Sequence, residues 1–238
     1  IHQMVGSEVP DRYGFGQAAE MIGIGTSRVN AAVRRLVGPV KQLEVVVTTE
    51  PIADELLHES VNADLLVVGA TYSHPSGAVI FDAVSRFLAH YSRCPLLLVP
   101  AGCTSSAVAE LLCGVDRSQG SSRAVRWAAR EAALRGVTVL ADEVLSPVGM
   151  HRAEPHESLS DWVVGQRVAE PTTILCRVET ERSAARHLLD TAAERRAMLV
   201  VGAHARKARL PHYCLVGLVT GQDRVPVVVV PPGLPRQR

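Results

Sequence analysis

The sequence is poor in aromatic side chains and has no long apolar run. Phe, Trp and Tyr make up only 4% of its 238 residues, although 47% are hydrophobic, so its core must be built mainly from Val, Leu and Ala. No segment approaches the ~18 consecutive apolar residues that a membrane-spanning helix requires. The first residues also show no secretion signal of the basic-then-apolar kind. We therefore expect neither a membrane span nor a membrane partner.

Cysteines are few, and their spacing matches no known framework. The five of them are odd in number and scattered, with no CxxC pair and no zinc-like spacing. This pattern favours free, buried thiols in a reducing cytoplasm over a disulfide or metal framework. The residues are Cys94, Cys103, Cys113, Cys176 and Cys214.

Basic and acidic residues are nearly equal in number. The 25 Lys and Arg residues nearly balance the 24 Asp and Glu residues, which gives a formal net charge of +1. Nucleic acids and anionic membranes attract concentrated positive charge. The composition therefore gives no reason to expect nucleic acid as the principal partner.

The sequence does contain an internal repeat. "LVVGA" occurs twice, with its glycine at Gly69 and again at Gly202, 133 residues later. Upstream of each copy lies a strand-like run and then a helix-like run. Downstream of each copy lies a second apolar run, "CPLLLVP" at 94–100 and "VPVVVVPP" at 225–232. Short Val/Leu-rich runs that alternate with amphipathic helices predict βαβ units and a parallel sheet covered on both faces.

The two halves of the chain are predicted to be unequal. The first half contains a Gly-rich stretch, a helix near 26–37 and three strands, and a linker at 100–107 separates it from a complete second half. In the helix predicted at 121–135, Val125, Ala128, Ala129 and Ala132 form an apolar stripe, and Glu131 and Arg135 form an i,i+4 pair. Ser121 or Ser122 is expected to cap the start of this helix, and Gly136 to follow its end. The remaining predictions are a helix at 51–62 and a strand at 43–50 in the first half, and in the second half strands at 108–115, 137–144, 172–179, 198–202 and 225–230, a helix at 181–196 and a loop at 145–170.

Two stretches resemble the universal stress protein family. "LLCGVDRSQGSSRAVRWAAREAALRGVTVLADEV" (111–144) is similar to the opening of such a domain, and "LLVVGA…VSRFLAHYSRCPLLLVP" (65–100) to its closing half. The resemblance implies a Rossmann-like α/β fold of the adenine nucleotide alpha hydrolase type. Its open, parallel, five-stranded sheet has the order 3-2-1-4-5 and helices on both faces. It also implies two tandem copies, an incomplete domain at 1–103 and a complete one at 107–233.

By this comparison the first domain lacks its first two strands. Their loss would expose strand edges that are normally buried, which is costly. Either residues upstream of Ile1 are absent from this sequence, or the second domain covers the gap. We favour the first explanation.

The resemblance also implies where a nucleotide would bind. In the family, an Asp after the first strand and backbone at the end of the second hold adenine, and a G-2x-G-9x-G-(S/T) loop holds the phosphates. In the second domain Asp116, Val144 and Gly202 match these positions, although Arg117 replaces the usual glycine after the Asp.

The phosphate loop matches poorly. In the second domain Ala205 takes the second glycine position, and Gly217 restores the third only if the loop is two residues longer, although Arg206 and Lys207 supply positive charge that suits a phosphate. In the first domain Gly69 is a vestigial match, and Tyr72 and Asp82 replace the other glycines. By strict counting, Leu215 and Val216 occupy the third-glycine and Ser/Thr positions of the motif in the second domain. In the first domain Ala83 occupies the Ser/Thr position.

Other polar residues are interpreted as solvated loop positions. His151 and His156, with Glu154 and Glu157, lack the preorganised geometry that a metal needs. The same interpretation is preferred for His204, His212 and Cys214. No nucleophile, base and acid are arranged as in a hydrolase.

The sequence therefore predicts a cytoplasmic, tandem universal stress protein-like module in a bacterial stress response. It would be a binding or interaction protein without a cofactor, not an enzyme, and its last strands would pair within the chain or in a homodimer. The alternative is a regulator that binds ATP or another adenine nucleotide through the second domain. An ATP-hydrolysing enzyme is a third, less favoured class. The stress signal and the partner are not encoded in any recognisable motif.

Overall fold

The structure is a computed structural model, and contacts along the chain divide it into two compact units, residues 1–59 and residues 60–238. It describes residues 2–6, 44–48, 51–69, 83–100, 103, 108–145, 157–181, 183–203 and 225–232.

The first unit contains a two-stranded parallel sheet and a helix. Strand β1 (His2–Gly6) pairs with β2 (Glu44–Thr48), with His2 opposite Glu44 and Gly6 opposite Thr48. Helix α1 (Ile52–Glu59) follows Pro51. Its first turn contains acidic residues, which interact favourably with the positive end of the helix dipole. The sequence analysis expected no strand at β1, so this part of the chain has one strand more than predicted. The Gly-rich stretch and the helix expected near 26–37 lie outside the described residues.

The second unit is built on a seven-stranded sheet whose neighbours are parallel with one exception. The strand order is β3-β4-β9-β8-β5-β6-β7, so the last five strands of the chain have the predicted 3-2-1-4-5 arrangement. This confirms the predicted fold class, an open α/β sheet with helices, whereas the division into two tandem copies stays a prediction. The strands are β3 (Leu66–Gly69), β4 (Leu96–Val99), β5 (Glu110–Val115), β6 (Thr138–Leu145), β7 (Ile174–Thr180), β8 (Ala197–Gly202) and β9 (Val227–Val230).

The exception joins the last strands of the two halves. Strand β4 pairs antiparallel with β9 of the same chain, and Leu96, Leu97 and Leu98 lie opposite Val229, Val228 and Val227. Leu98 and Val227 are completely buried, so this junction is part of the core. The sequence left open whether the last strands pair within one chain, and in the structure they do.

The described residues of the second unit form four helices: α2 (Ala83–Tyr91), α3 (Gln119–Arg135), α4 (Leu159–Gly165) and α5 (Ala184–Arg195). Helix α3 begins two residues earlier than predicted, because Ser118, rather than Ser121 or Ser122, caps it. Gly136 ends α3 in the left-handed conformation, as expected. Helix α4 lies inside the segment predicted as a loop.

The core between α3 and the sheet is made of small and branched apolar residues. The predicted alanine stripe of α3 is fully buried against β5 and β8, which confirms that this face packs on the sheet. Leu159 and Val163 of α4 join the same cluster. Alternate strand residues point to opposite faces, so Leu112 faces away from α3 and towards the side on which α5 contacts β5, β6 and β8. This layering leaves the carboxyl ends of β5, β6 and β8 at one edge of the sheet.

The described ranges offer neither a membrane-spanning helix nor a cluster of metal ligands. None of the helices there is long and apolar enough to cross a bilayer. The same ranges contain no group of three or more His, Cys, Asp and Glu side chains placed to hold a metal ion.

Candidate functional site

The predicted site lies at the carboxyl edge of β5, β6 and β8. Strand β5 pairs with both β6 and β8, so the ends of the three strands are neighbours. Asp116 follows β5 directly, Val144 is the penultimate residue of β6, and Gly202 ends β8. In an open α/β sheet, ligands bind at such an edge where the strand order reverses. The structure thus brings three of the predicted residues to one edge, whereas Arg206, Lys207 and Gly217 lie outside the described residues.

Asp116 organises the turn between β5 and α3. One of its carboxylate oxygens, Oδ1, accepts a hydrogen bond of 3.0 Å from the backbone N–H of Ser118. The Ser118 hydroxyl in turn accepts from the N–H of Ser121, 3.2 Å away, and so caps α3. Asp116 is exposed. Its carboxylate therefore lies at the surface of the cleft while it also shapes the entry to the helix.

Val144 lies where β5 and β6 separate. Pairing between these strands ends at Val115 and Glu143, and Val144 lies opposite Glu179 of the outer strand β7. Val144 is half-buried. It therefore occupies the place at which the second strand of the fold would offer backbone to a ligand.

Arg117 connects the end of β5 with the end of β6. Its Nε donates to Glu143 Oε1 at 2.6 Å and its Nη2 donates to Oε2 at 2.8 Å, which makes a two-pronged ion pair. Its Nη1 donates to the backbone carbonyl of Glu157, also at 2.6 Å. The hydrogen bonds that Arg117 donates to Glu143 raise the pKa of Arg117 above its ordinary value. One side chain thus connects the β5 turn, β6 and the residues that precede α4.

The backbone at Arg117 is in an unusual conformation for this residue type. Its φ is 59°, within the left-handed region that favours glycine. The family resemblance predicts a glycine at this position, and the backbone keeps the conformation that a glycine would adopt easily. The arginine side chain is thus added to a turn that retains a glycine-type shape.

Gly202 is in backbone contact with the start of α3. A Cβ atom added to Gly202 would lie 2.2 Å from both the carbonyl carbon and the carbonyl oxygen of Gly120. Conversely, a Cβ on Gly120 would lie 2.9 Å from the carbonyl oxygen of Ala203. The contact of α3 with the end of β8 therefore requires glycine at position 202, whether or not a phosphate binds nearby.

Gly69 has no such requirement. No atom of the described residues lies within 4 Å of the position that its Cβ would take, and the residue is exposed at the end of β3. Tyr72 and Asp82, which replace the later glycines of this copy, lie outside the described residues. The two "LVVGA" repeats therefore have glycines in different surroundings.

The sequence analysis missed a buried polar cluster next to the site. Asp142 is completely buried, and its carboxylate accepts from Nε of Arg177 at 3.3 Å and also from Nη2 of Arg177. Nε2 of His187 lies 3.2 Å from Asp142 Oδ2, and Arg177 also donates to the hydroxyl of Thr191. The hydrogen bonds that Arg177 donates to Asp142 raise the pKa of Arg177.

Two adjacent carboxylates in the strand "TVLADEVL" are the signal for this arrangement. Consecutive strand residues face opposite sides of a sheet. Asp142 thus reaches Arg177 of β7 and His187 of α5, whereas Glu143 reaches Arg117. A pair of acids in an apolar strand predicts a cationic partner on each face, and the structure supplies Arg177 and Arg117.

The thiols divide into buried and exposed groups. Burial raises the pKa of Cys113 to about 12 and also raises the pKa of Cys94. Cys103 and Cys176 are exposed, and both are free thiols. Cys214, together with His151, His156, His204 and His212, lies outside the described residues.

A doubly wound α/β sheet with a cleft at its carboxyl edge defines the class of Rossmann-like folds. Within that class, residues 8–100 match the model of the universal stress protein family. A universal stress protein of Mycolicibacterium smegmatis is 28% identical over 169 residues, which cover 66% of this chain and 57% of that protein. The resemblance to the universal stress protein family is therefore confirmed.

Solved structures support the same fold. A universal stress protein from Archaeoglobus fulgidus aligns with 97% of this chain and 88% of its own, with 16% identity and a TM-score of 0.66. A functionally unknown protein from Pseudomonas aeruginosa aligns with 97% of this chain and 82% of its own, with 14% identity and a TM-score of 0.64. At these identities the two likenesses show a shared fold.

Proposed function

We propose that this chain is a universal stress protein-like binding or interaction module whose nucleotide site has degenerated. In this proposal it acts in a bacterial stress response through contacts with a partner, without a cofactor and without catalysing a reaction. Its free thiols favour a reducing compartment such as the cytoplasm.

The observation that carries the proposal is the position of Arg117. The guanidinium of Arg117 lies beside the position that the resemblance assigns to adenine, because it contacts Glu143, the residue that precedes Val144. Arg117 is held there by both oxygens of Glu143 and by the carbonyl of Glu157. These three hydrogen bonds are charge-assisted, and such bonds are about twice as strong as neutral ones, so a large cation is fixed at the position where the resemblance predicts a glycine.

The surroundings of Gly202 agree with this proposal. A glycine in a phosphate loop lets backbone N–H groups approach the phosphate. At Gly202 the close approach is made by Gly120 instead. Retention of this glycine is thus explained by packing, and it does not argue for a working phosphate site.

The second candidate is an adenine-nucleotide-binding regulator. It is favoured by the placement of Asp116, Val144 and Gly202 at one edge of the sheet. In this alternative Arg206 or Lys207 would contact the phosphates of ATP and Gly217 would complete the loop.

One experiment distinguishes the two candidates. The purified protein is denatured, the supernatant is chromatographed for adenine nucleotides, and ATP is titrated into the native protein by calorimetry. Under the degenerate-site proposal no nucleotide is released and no heat of binding is seen. Stoichiometric release, or micromolar binding that Asp116→Ala abolishes, would establish the regulator instead.

The partner class is also part of the proposal. Pairing of β4 with β9 uses the last strand of each half within one chain. We propose that this internal junction takes the place of a homodimer contact through the same strands. Size-exclusion chromatography with light scattering, compared with a chain that carries Val228→Asp, tests the assignment.

A further inference from the structure

We propose that the outer edge of β7 is a dimer interface, at which two copies of this chain pair antiparallel about a two-fold axis at Val178. In this arrangement Arg177 of each copy lies opposite Glu179 of the other. The interface lies at the end of the sheet away from β3, so it is distinct from the internal junction of β4 with β9. It goes beyond the proposed function, because it does not depend on whether a nucleotide binds.

The outer edge of β7 offers backbone groups for another strand. Within the described part of the chain, β7 pairs with β6 alone. The backbone N–H of Val139 donates to the carbonyl of Thr173, so the backbone groups of Thr173 point towards β6. The direction alternates along a strand. The N–H and C=O groups of the even-numbered residues therefore point away from β6, where a second strand can bind them. These residues are Ile174, Cys176, Val178 and Thr180.

The side chains of β7 are those of a strand that associates. Leu175 and Val178 are 48% and 49% exposed, and Cys176 is exposed as well. Helix α5 packs mainly on β5, β6 and β8, which leaves much of β7 uncovered on that face. Proline and lysine, two residues that protect edge strands from pairing, are both absent from the seven residues of β7. The edge therefore combines free backbone groups with exposed apolar side chains.

The direction of the backbone groups limits how two copies can pair. Opposite residues of an antiparallel pair are either both hydrogen-bonded to the partner strand or both not. An even-numbered residue of one copy must therefore lie opposite an even-numbered residue of the other. With most of the strand paired, the two-fold axis can lie only at Cys176, Arg177 or Val178.

The charges of β7 select one of these three registers. An axis at Arg177 would place two arginines directly opposite each other, which is destabilising. An axis at Cys176 would place Arg177 opposite Leu175 and leave Glu179 beyond the paired residues. An axis at Val178 places Arg177 opposite Glu179 twice, so opposite charges meet at two symmetric positions. A two-fold interface requires a surface that is complementary to itself, and only this register provides it.

Arg177 and Glu179 both have bonding capacity left for a second copy. Arg177 uses its Nε and Nη2 for Asp142, whereas its Nη1 has no hydrogen-bond partner among the described residues. Glu179 is 44% exposed, and its Oε1 lies 3.9 Å from Nε of Arg177, too far for a hydrogen bond. Opposite residues of an antiparallel pair have Cβ atoms about 5 Å apart, which is within reach of an ion pair.

Sedimentation velocity of the full chain tests the interface. Over a range from about 2 to 200 µM, wild type is expected to shift from monomer to dimer as concentration rises. Pairing of β4 with β9 lies within one chain and does not change on dilution, so it does not interfere with this measurement. Glu179→Arg places arginines opposite each other at both symmetric positions and should raise the dimer Kd at least about tenfold.

Glu181→Arg is the matched control. It makes the same change of charge two residues further along the chain, at an exposed position just beyond the end of β7. In the proposed register Glu181 lies opposite the apolar side chain of Leu175, so no ion pair is lost. The dimer Kd of Glu181→Arg should therefore stay within about twofold of wild type.

Cross-linking tests the register independently of these charge changes. The proposed axis places Thr180 opposite Cys176 of the other copy. Thr180→Cys should therefore allow dibromobimane, a short reagent that bridges two thiols, to join residue 180 of one copy to Cys176 of the other. Peptide mapping identifies the joined residues. The same reagent should not join Cys176 to Cys176 in wild type.

Each remaining outcome contradicts the proposal. Wild type that stays monomeric at about 200 µM refutes the interface. A dimer that Glu179→Arg leaves unchanged is formed by another surface and also refutes it. A cross-link between the two Cys176 side chains in wild type places the axis at Cys176 and refutes the register. If Glu179→Arg does not fold, as judged by circular dichroism, the cross-link of Thr180→Cys decides by its presence or absence.

Discussion

The backbone of Gly202, at the end of β8, lies directly against the backbone of Gly120, in the first turn of α3. A Cβ on Gly202 would approach the carbonyl group of Gly120 to 2.2 Å. Real Cβ atoms do not come this close to backbone, so the strand and the helix would have to move apart. The contact connects the strand that precedes the phosphate loop with the helix that follows Asp116.

Replacement of Gly202 by alanine is expected to destabilise the protein strongly. Gly202→Ala forces β8 and α3 apart in a fully packed region, and overpacking of this kind costs about 2–3 kcal/mol. The free energy of unfolding from urea titration measures the loss.

Gly69→Ala is the matched comparison, because Gly69 has the same place in the other "LVVGA" repeat. With no atom of the described residues within 4 Å of its Cβ position, its replacement should change the free energy of unfolding by less than about 0.5 kcal/mol. Equal losses in the two variants would show that the Gly120 contact does not matter.

Arg177→Met should be among the more damaging changes of a charged residue. Asp142 is completely buried, and loss of Arg177 leaves its carboxylate with His187 as the remaining neighbour. Removal of one partner of a buried pair costs about 3 kcal/mol, at the low end of the usual range because Arg177 itself is partly exposed. Denaturant titration measures the change.

The control for that variant is Arg135→Met. Arg135 and Glu131 form the predicted i,i+4 pair, at 2.6 Å, on the outer side of α3. Exposed helix pairs contribute about 0.3–0.5 kcal/mol. A loss at Arg135 as large as that at Arg177 would contradict the role assigned to burial.

Stability should fall in alkaline solution through Cys113. Burial raises the pKa of this thiol from 9.0 to about 12, so between these values the unfolded chain loses its proton while the folded protein keeps it. The unfolded state then binds fewer protons, and stability decreases as pH rises from about 9 towards 12. Between pH 8 and pH 10 the expected loss is about 1 kcal/mol.

Cys113→Ala removes this dependence. The stability difference between wild type and Cys113→Ala should therefore shrink by the same amount over that pH range, whereas Cys103→Ala should follow wild type. A difference that stays constant from pH 8 to pH 10 would disprove the assignment to Cys113.

Thiol labelling of the folded protein should separate exposed from buried cysteines. Cys103 and Cys176 are exposed, whereas Cys94 and Cys113 are 4% and 0% exposed. Burial raises the pKa of Cys176, which lowers its thiolate fraction, so Cys103 should react first. A short pulse of iodoacetamide at pH 8, followed by peptide mapping, gives the order. Early labelling of Cys113 would be incompatible with its place in the core.

The sheet was predictable because its strands are continuous apolar runs. The strands expected at 198–202 and 225–230 lie at Ala197–Gly202 and Val227–Val230. Such runs indicate strands that are buried on both faces. Helix α4 was missed because it has only seven residues and buries only Leu159 and Val163, too little for a helical period to stand out.

Of the candidate site, only the residues at the ends of strands could be predicted from the sequence. Asp116 and Gly202 follow directly from where β5 and β8 stop. The contact of Arg117 with Glu143 spans 26 residues and depends on how the side chains lie in three dimensions, which no local pattern encodes. The sequence also does not distinguish between two roles for Gly202. A glycine that lets a phosphate approach the backbone and a glycine that lets another backbone segment approach look the same in sequence.

The antiparallel junction of β4 and β9 makes the sheet insensitive to dilution. Both strands belong to one polypeptide, so they meet at an effective concentration that the intervening chain sets and that the amount of protein in the sample does not change. A sheet joined between separate subunits would obey mass action and come apart as the sample is diluted. In this chain the pairing of β4 with β9 therefore does not depend on the protein concentration.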